Sequence, residues 1–299
     1  MKDKKIGFTT VELLTVLAII SLLIGVLLPA LSAVRKAARE VKQRAQITTL
    51  ELAIIAFKND YGDYPQSFDY DVSLNYCGSQ KLSEALLGWD LLGFHPKSVW
   101  RADGCDGGPP PPGNPVYLNT DQNLRQRKGP YLELTTTNAF RLGISAAGKR
   151  DGLFESTNPL SPDRYVICDV FGVKRITLAT GKTAVAGTPI LYYKANTSSK
   201  SIDNTKPDFT NLIYNVLDNA YLLLIKEQED RIKHPNPSKW PLNPLSADTG
   251  NFQFFYNNYI KDPKVTARPW PYRPDSYILI SAGADGFYGT SDDIRNFGY

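Results

Sequence analysis

GFTTVELLTVLAIISLLIGVLLPAL, residues 7–31, sets the architecture of this 299-residue chain. From Val11 to Leu28 only Glu12, Thr15, Ser21 and Gly25 interrupt large aliphatics and alanine. About 20 residues cross a bilayer core, so this run is just long enough to span one. A carboxylate inside such a segment costs roughly 2.5 to 3.5 kcal/mol at its centre and less near its edge, which makes Glu12 a candidate functional residue, the alternative being that it merely reaches the headgroups from the segment's edge. Three uses of the segment compete: a cleaved secretory signal, an ordinary anchor, and a specialised anchor in which Glu12 has a task. Pro29-Ala-Leu-Ser-Ala33 is a poor cleavage site and Glu12 breaks the uncharged core that a signal peptide needs.

The helical pattern continues beyond Pro29. Leu31, Val34, Ala38, Val41, Ala45, Thr48, Leu52 and Ile55 recur at steps of three and four. A second stripe, Ile47, Leu50, Ile54, Phe57 and Tyr61, appears only in the later half. One helix from Phe8 to Tyr61 is therefore expected, about 80 Å long. Its later half is covered on two faces, one of them by the chain's own globular part. Gly62 and Pro65 of YGDYP end it. Pro29, with Gly25 four residues earlier, predicts a kink or a locally melted turn. A soluble coiled-coil dimer is the alternative for this pattern, but its heptads number barely four.

Charge is concentrated at the N-terminal end. The whole chain carries +4. Residues 2–6 contribute +2, Glu12 takes one away, and residues 31–60 add +3 through Arg35, Lys36, Arg39, Lys42, Arg44 and Lys58 against three acids, which leaves residues 61–299 with no net charge. A neutral globular part argues against nucleic-acid binding. Lys and Arg counts on the two sides of the apolar run leave its orientation open.

After Pro65 the sequence reads as α+β with long loops. A short helix is expected at Leu82–Leu92 and another within Asn211–Ile232, with strands at Tyr165–Val170, Thr188–Lys194 and Ser276–Ser281. Residues 101–115, 234–244 and 267–274 are proline- and glycine-rich loops. The aromatic run NFQFFYNNY, 251–259, reads as a strand packed on the core or as an exposed binding surface. Cys77, Cys105 and Cys168 lack metal or thioredoxin spacing; one disulfide is expected if the domain lies outside the cytoplasm, with Cys77–Cys105 as one possible pairing. His95 and His234 sit in loop-like segments, and neither HExxH, GxSxG nor a phosphate-binding loop occurs, so no catalytic site is expected.

The C-terminal SAGADGFYGTSDDI, 281–294, gathers Asp285, Asp292 and Asp293 with three glycines and three hydroxyls. Such hard oxygen donors on a flexible loop suit calcium, although the pattern is not an EF-hand. A solvated turn at Asp285-Gly286 accounts for the composition equally well.

A short basic leader ending in Gly7, then Phe8, then Glu12 as the fifth residue counted from Phe8, then a long apolar helix, resembles the type IV prepilin signature shared by type IV pilins and type II secretion pseudopilins. KGPYLEL (128–134), DVFG (169–172), PILYYK (189–194) and YILISAGADGFYGTSDDI (277–294) are similar, in order, to elements of the major type II secretion pseudopilin, with large insertions around 196–275 between them. The resemblance implies a pilin-like α+β fold: leader 1–7, transmembrane part 8–30, amphipathic part 31–61 of the same helix packed on a small antiparallel sheet, and a globular domain 62–299. It implies cleavage between Gly7 and Phe8 by a prepilin peptidase in the cytoplasm, N-methylation of Phe8, and pairing of Glu12 with the terminal amine of a neighbouring subunit. It implies a helix unwound near Pro29, and one structural calcium held by Asp285, Asp292 and Asp293 with carbonyls near Ala282 and Phe287. The expected partners are copies of the chain, other pseudopilins and an inner-membrane assembly platform. The expected place is the inner membrane, with the domain in the periplasm, and the expected work is filament growth that drives protein export. A type IV pilin for adhesion, motility or DNA uptake, and a binding module or enzyme on a borrowed anchor, are the alternatives.

Overall fold

The computed structural model describes residues 10–67, 75–108, 113–134, 136–144, 151–178, 181–200, 202, 212–230 and 260–298. Gly7 and Phe8, and the segments 109–112, 234–244 and 251–259, lie outside them. The fold is α+β: a long N-terminal helix followed by small antiparallel and mixed sheets. The chain divides into two compact units, one up to Lys42 and one from Gln43 onward.

Helix α1 (Thr10–Tyr61) runs through both units as 52 residues. Pro29 lies inside it, and the helix is unbroken there, so no turn melts at this point. Proline removes one backbone donor and crowds the carbonyl four residues earlier. That carbonyl belongs to Gly25, and Ser32 Oγ donates to the Pro29 carbonyl at 2.8 Å. Helix α1 ends where YGDYP predicts: Gly62, at φ +83°, donates its amide to the Lys58 carbonyl at 2.7 Å.

In the unit from Gln43 onward, three small sheets and three further α-helices among the described residues form around two hydrophobic clusters. Strands β1 (Ala139–Gly143), β2 (Gly152–Phe154) and β3 (Tyr165–Ile167) form one sheet in the order β2-β1-β3. β1 and β2 run parallel, which departs from the all-antiparallel expectation. Gly152 permits that pairing, since a Cβ there would stand 2.0 Å from the Gly143 carbonyl oxygen. β4 (Lys174–Thr177) and β5 (Thr183–Ala186) make a two-stranded ribbon. β6 (Leu191–Lys194), β7 (Tyr277–Ser281) and β8 (Ile294–Arg295) form an antiparallel sheet in that order.

All five residues of β7, YILIS, are buried, because both faces of its sheet are covered. Ile47, Leu50, Ile54 and Phe57 of α1 pack with Tyr192, Tyr277 and Leu279 on one face. On the other, Leu191, Tyr193, Ile278 and Ile280 pack with Leu142, Val166, Leu222 and Leu223. Leu222 and Leu223 belong to α4 (Ala220–Asp230), preceded by a 3-10 turn at Val216–Asn219, both in the 196–275 insertion. Residues 212–226 of that insertion are thus largely core, whereas 196–200 and 261–270 are surface loop.

Helix α2 (Gly78–Leu87) starts and stops four or five residues before the expected Leu82–Leu92. Gln80 Oε1 accepts the Cys77 amide at its start. At its end Gly88, at φ +95°, turns the backbone so sharply that a Cβ would lie 2.4 Å from the Gly93 carbonyl oxygen. All ten residues of α2 are buried. Helix α3 (Asp121–Gln126) is a short surface turn capped by Thr120.

The Cys77–Cys105 disulfide is not formed; all three cysteines are buried free thiols. Cys77 caps α2 within the hydrophobic cluster. Cys105 is held in the loop by the Cys105–Pro115 bridge and by the Asp103 carboxylate on its amide at 3.0 Å. Burial pushes the Cys77 thiol up to about 12, which leaves it unreactive.

Candidate functional site

The expected functional residues fall into two places, the start of α1 and the turn after β7. Glu12 lies exposed in the first turn of α1, where a carboxylate is favoured by the helix dipole. Thr15 Oγ1 donates to the Glu12 carbonyl at 3.0 Å. From Val11 to Leu28 the large aliphatic side chains are exposed, and α1 is the one helix among the described residues long and apolar enough to cross a membrane.

The C-terminal loop is built by three glycines at positive φ, Gly283, Gly286 and Gly289. At Gly283 the requirement is double, since a Cβ would also stand 2.3 Å from the Asp292 carbonyl oxygen. Asp292 closes the loop: its Oδ2 accepts the Ala284 and Asp285 amides at 2.7 and 3.0 Å, and its Oδ1 accepts Thr290 Oγ1 at 2.5 Å. Asp285 Oδ1 accepts the Phe287 amide at 2.8 Å. Asp293 Oδ2 accepts the Gly289 amide at 3.0 Å. Beneath them Tyr288 is fully buried and donates to the Pro189 carbonyl.

Asp285 and Asp292 are brought into contact and perturb each other. Burial raises Asp285, and the neighbouring Asp292 charge adds to it. Burial also pushes Asp292 up, but Thr290 and the Asp285 and Ala284 amides outweigh it and hold Asp292 low. Two carboxyls side by side are eased by a shared proton or by a divalent cation. Asp293 is turned to its own backbone donor, and among the described residues no three His, Cys, Asp or Glu side chains converge on one point. The side chains present therefore fit a calcium ion through the Asp285–Asp292 pair, with Ala282 and Phe287 in the same loop as carbonyl donors, while one oxygen of Asp293 is taken by the Gly289 amide.

Two features had no sequence signal. Asp169, in the DVFG segment, is a buried carboxyl whose Oδ1 accepts the Phe171 and Thr188 amides at 3.1 Å each, and whose Oδ2 accepts Ser281 Oγ at 3.2 Å. Burial pushes it up to about 7 against those donors and the nearby Lys226. A cavity of about 390 Å³ lies between the end of α1 and the end of β6, lined by Tyr64, Asn196, Ile213, Asn215 and Asp218 among others. The Lys194–Asp63 ion pair, at 2.5 Å, stands at its wall. His95 is buried and its Nδ1 accepts the Lys97 amide at 3.1 Å, a structural turn rather than a reactive group; His234 lies outside the described residues.

No protein-family model matches the chain, and neither a curated protein nor a solved structure does so.

Proposed function

We propose that this chain is a structural subunit of a type II secretion pseudopilus, inserted in the inner membrane through α1 and polymerised through the same helix to drive protein export, with no catalytic role. The observation that carries the reading is α1 itself. Its first half exposes an unbroken apolar surface with one carboxylate, Glu12, in the opening turn, and its second half packs onto a small α+β domain. An exposed aliphatic surface of that length needs a lipid or protein cover. An acid at its edge is tolerated once a positive charge meets it in the same apolar setting. The amine of Phe8 in an adjacent copy, freed by prepilin peptidase, supplies that charge. Asp285 and Asp292 would hold a structural calcium that offsets their mutual repulsion and orders the C-terminal loop.

The test is the intact mass of the chain recovered from membranes, with and without a prepilin peptidase. A product beginning at Phe8 and one methyl heavier, formed only with the peptidase, is expected. A chain that keeps residues 1–7, or is cut near Ala33, overturns the reading.

A further inference from the structure

Just past the apolar run, α1 carries Arg35, Lys36, Arg39 and Lys42, with Glu40 the one acid among them. All four cations are exposed. None of them has a hydrogen-bond or ion-pair partner among the described residues. Arg35, Arg39 and Lys42 follow at steps of four and three and so share one helix face. Val34 and Val41, both exposed, lie on an adjoining face, and the exposed Leu31, four residues before Arg35, adjoins the basic one. A basic stripe beside an apolar one is the surface of a helix that meets a bilayer interface.

We propose that this basic collar binds the anionic phospholipid headgroups of the leaflet through which α1 leaves the membrane. This rests on α1 entering a bilayer, as in the reading above. Arg35 lies about 10 Å along the axis beyond Leu28, at the depth of the headgroup layer. Side chains on a helix lean toward its N-terminus, which here is toward the membrane, so the long stems of Arg39 and Lys42 reach back to the same layer. Four cations this close repel one another, since they lie within roughly one Debye length, and a surface of lipid phosphates relieves that. The collar does not serve orientation, because a basic flank on the exported side opposes the positive-inside tendency. A nucleic acid fits less well. The collar extends only about 10 Å, and tight duplex binding takes many more phosphate contacts.

The experiment uses the full chain reconstituted in vesicles of phosphatidylcholine with a minor share of phosphatidylglycerol. Spin-labelled forms of each lipid report which one is held at the protein surface. Carbonate extraction reports insertion separately. The wild type is expected to hold phosphatidylglycerol over phosphatidylcholine by about fivefold, the factor usual for one cation near an anionic surface. Added salt should erode the preference, and Arg35→Gln/Arg39→Gln/Lys42→Gln should abolish it while insertion stays unchanged. An inserted wild type without preference, or a triple variant that keeps it, overturns the proposal and leaves the anchor reading standing. Failure to insert into either lipid overturns both. Salt-dependent retardation of a DNA duplex by a wild type without lipid preference overturns it in favour of nucleic acid.

Discussion

Ser281, the last residue of β7, donates its hydroxyl to the buried carboxyl of Asp169 at 3.2 Å. Through Asp169 the end of β7 is joined to the turns that follow β3 and β5, because the same carboxyl accepts the Phe171 and Thr188 amides. The backbone on either side of it is held by α1: Gln46 Nε2 donates to the Cys168 carbonyl at 2.9 Å, and Gln43 Oε1 accepts the Val170 amide at 2.8 Å. The Asp169 side chain thus links the turns after β3 and β5 to the root of the C-terminal loop, and the backbone beside it is tied to the long helix.

That linkage carries a pH signature. Burial lifts Asp169 to about 7, from an ordinary value of 3.8, so the native state holds this proton more tightly than the unfolded chain. The stability it contributes is complete below about pH 4 and is lost as pH rises through about 7. The buried Glu84 is raised for the same reason and acts in the same direction. Asp169→Asn keeps an oxygen for the two amides and presents its NH2 to Ser281 Oγ. Urea unfolding near pH 5 and near pH 8 should therefore show a smaller loss of stability in the variant than in the wild type. Equal losses in the two proteins would count against an elevated Asp169.

The Asp285–Asp292 pair predicts a metal response. With calcium at about a hundred times its dissociation constant, a single site adds roughly 2.7 kcal/mol to stability. The melting temperature should fall on chelation, and Asp285→Ala should remove the difference between the two conditions. Asp293→Ala should retain most of it, since that carboxylate is engaged with Gly289. If the wild type melts identically with and without chelator, the loop closes by its own hydrogen bonds and the calcium proposal falls. Gly283→Ala should be destabilising by about 1–3 kcal/mol in either condition, because it meets both positive φ and the Asp292 carbonyl.

The long helix, its stop at Gly62 and the strands at β6 and β7 were legible because each rests on local pattern: period 3.6, a glycine–proline stop, and β-branched runs. The extent of α2 was not, since its boundary is set by the contact between Gly88 and Gly93, which depends on a tertiary turn. One helix through Pro29 was expected, but not that no turn would melt there, because proline propensity is averaged over many contexts. The loop acids were legible as a group, but not that Asp292 would close the loop on the Ala284 and Asp285 amides while Asp293 takes the Gly289 amide. Asp169 was invisible as a buried carboxyl: one aspartate in a short turn carries no signal until the amides of Phe171 and Thr188 and the hydroxyl of Ser281 converge on it. The role of residues 212–226 lay beyond pattern altogether, because an amphipathic helix does not announce which sheet face it covers.

That last point is testable by packing. Leu223 of α4 is fully buried against the sheet, whereas Leu217, six residues earlier, is 37% exposed. Leu223→Ala should cost about 2–5 kcal/mol through lost burial and the cavity left behind. Leu217→Ala should stay within about 0.5 kcal/mol. Near-equal effects in urea titrations would mean that α4 is a peripheral addition and that the β6-β7-β8 sheet is stable with one face uncovered.

The proposed role of Glu12 predicts that insertion and assembly respond to its removal in opposite senses. In a lone subunit the carboxylate is a liability to the apolar run, worth up to roughly 2.5–3.5 kcal/mol at the bilayer centre and less at its edge, so Glu12→Leu should insert at least as well as the wild type. In the proposed filament a terminal amine would match the carboxylate, and deleting one partner would leave the other charge buried alone, which typically costs about 3–5 kcal/mol. Glu12→Leu should therefore reach the membrane and be processed at Gly7 normally, yet fail to enter sheared filaments. Glu12→Gln, which keeps a hydrogen-bond acceptor but no charge, should fall between them. Co-expression with wild-type chain, followed by mass spectrometry of the membrane and filament fractions, reads both steps in one preparation. Enrichment of the variant in membranes with depletion in filaments is the expected pattern; equal ratios in both fractions would remove Glu12 from assembly and with it the main physical support for a polymerising subunit.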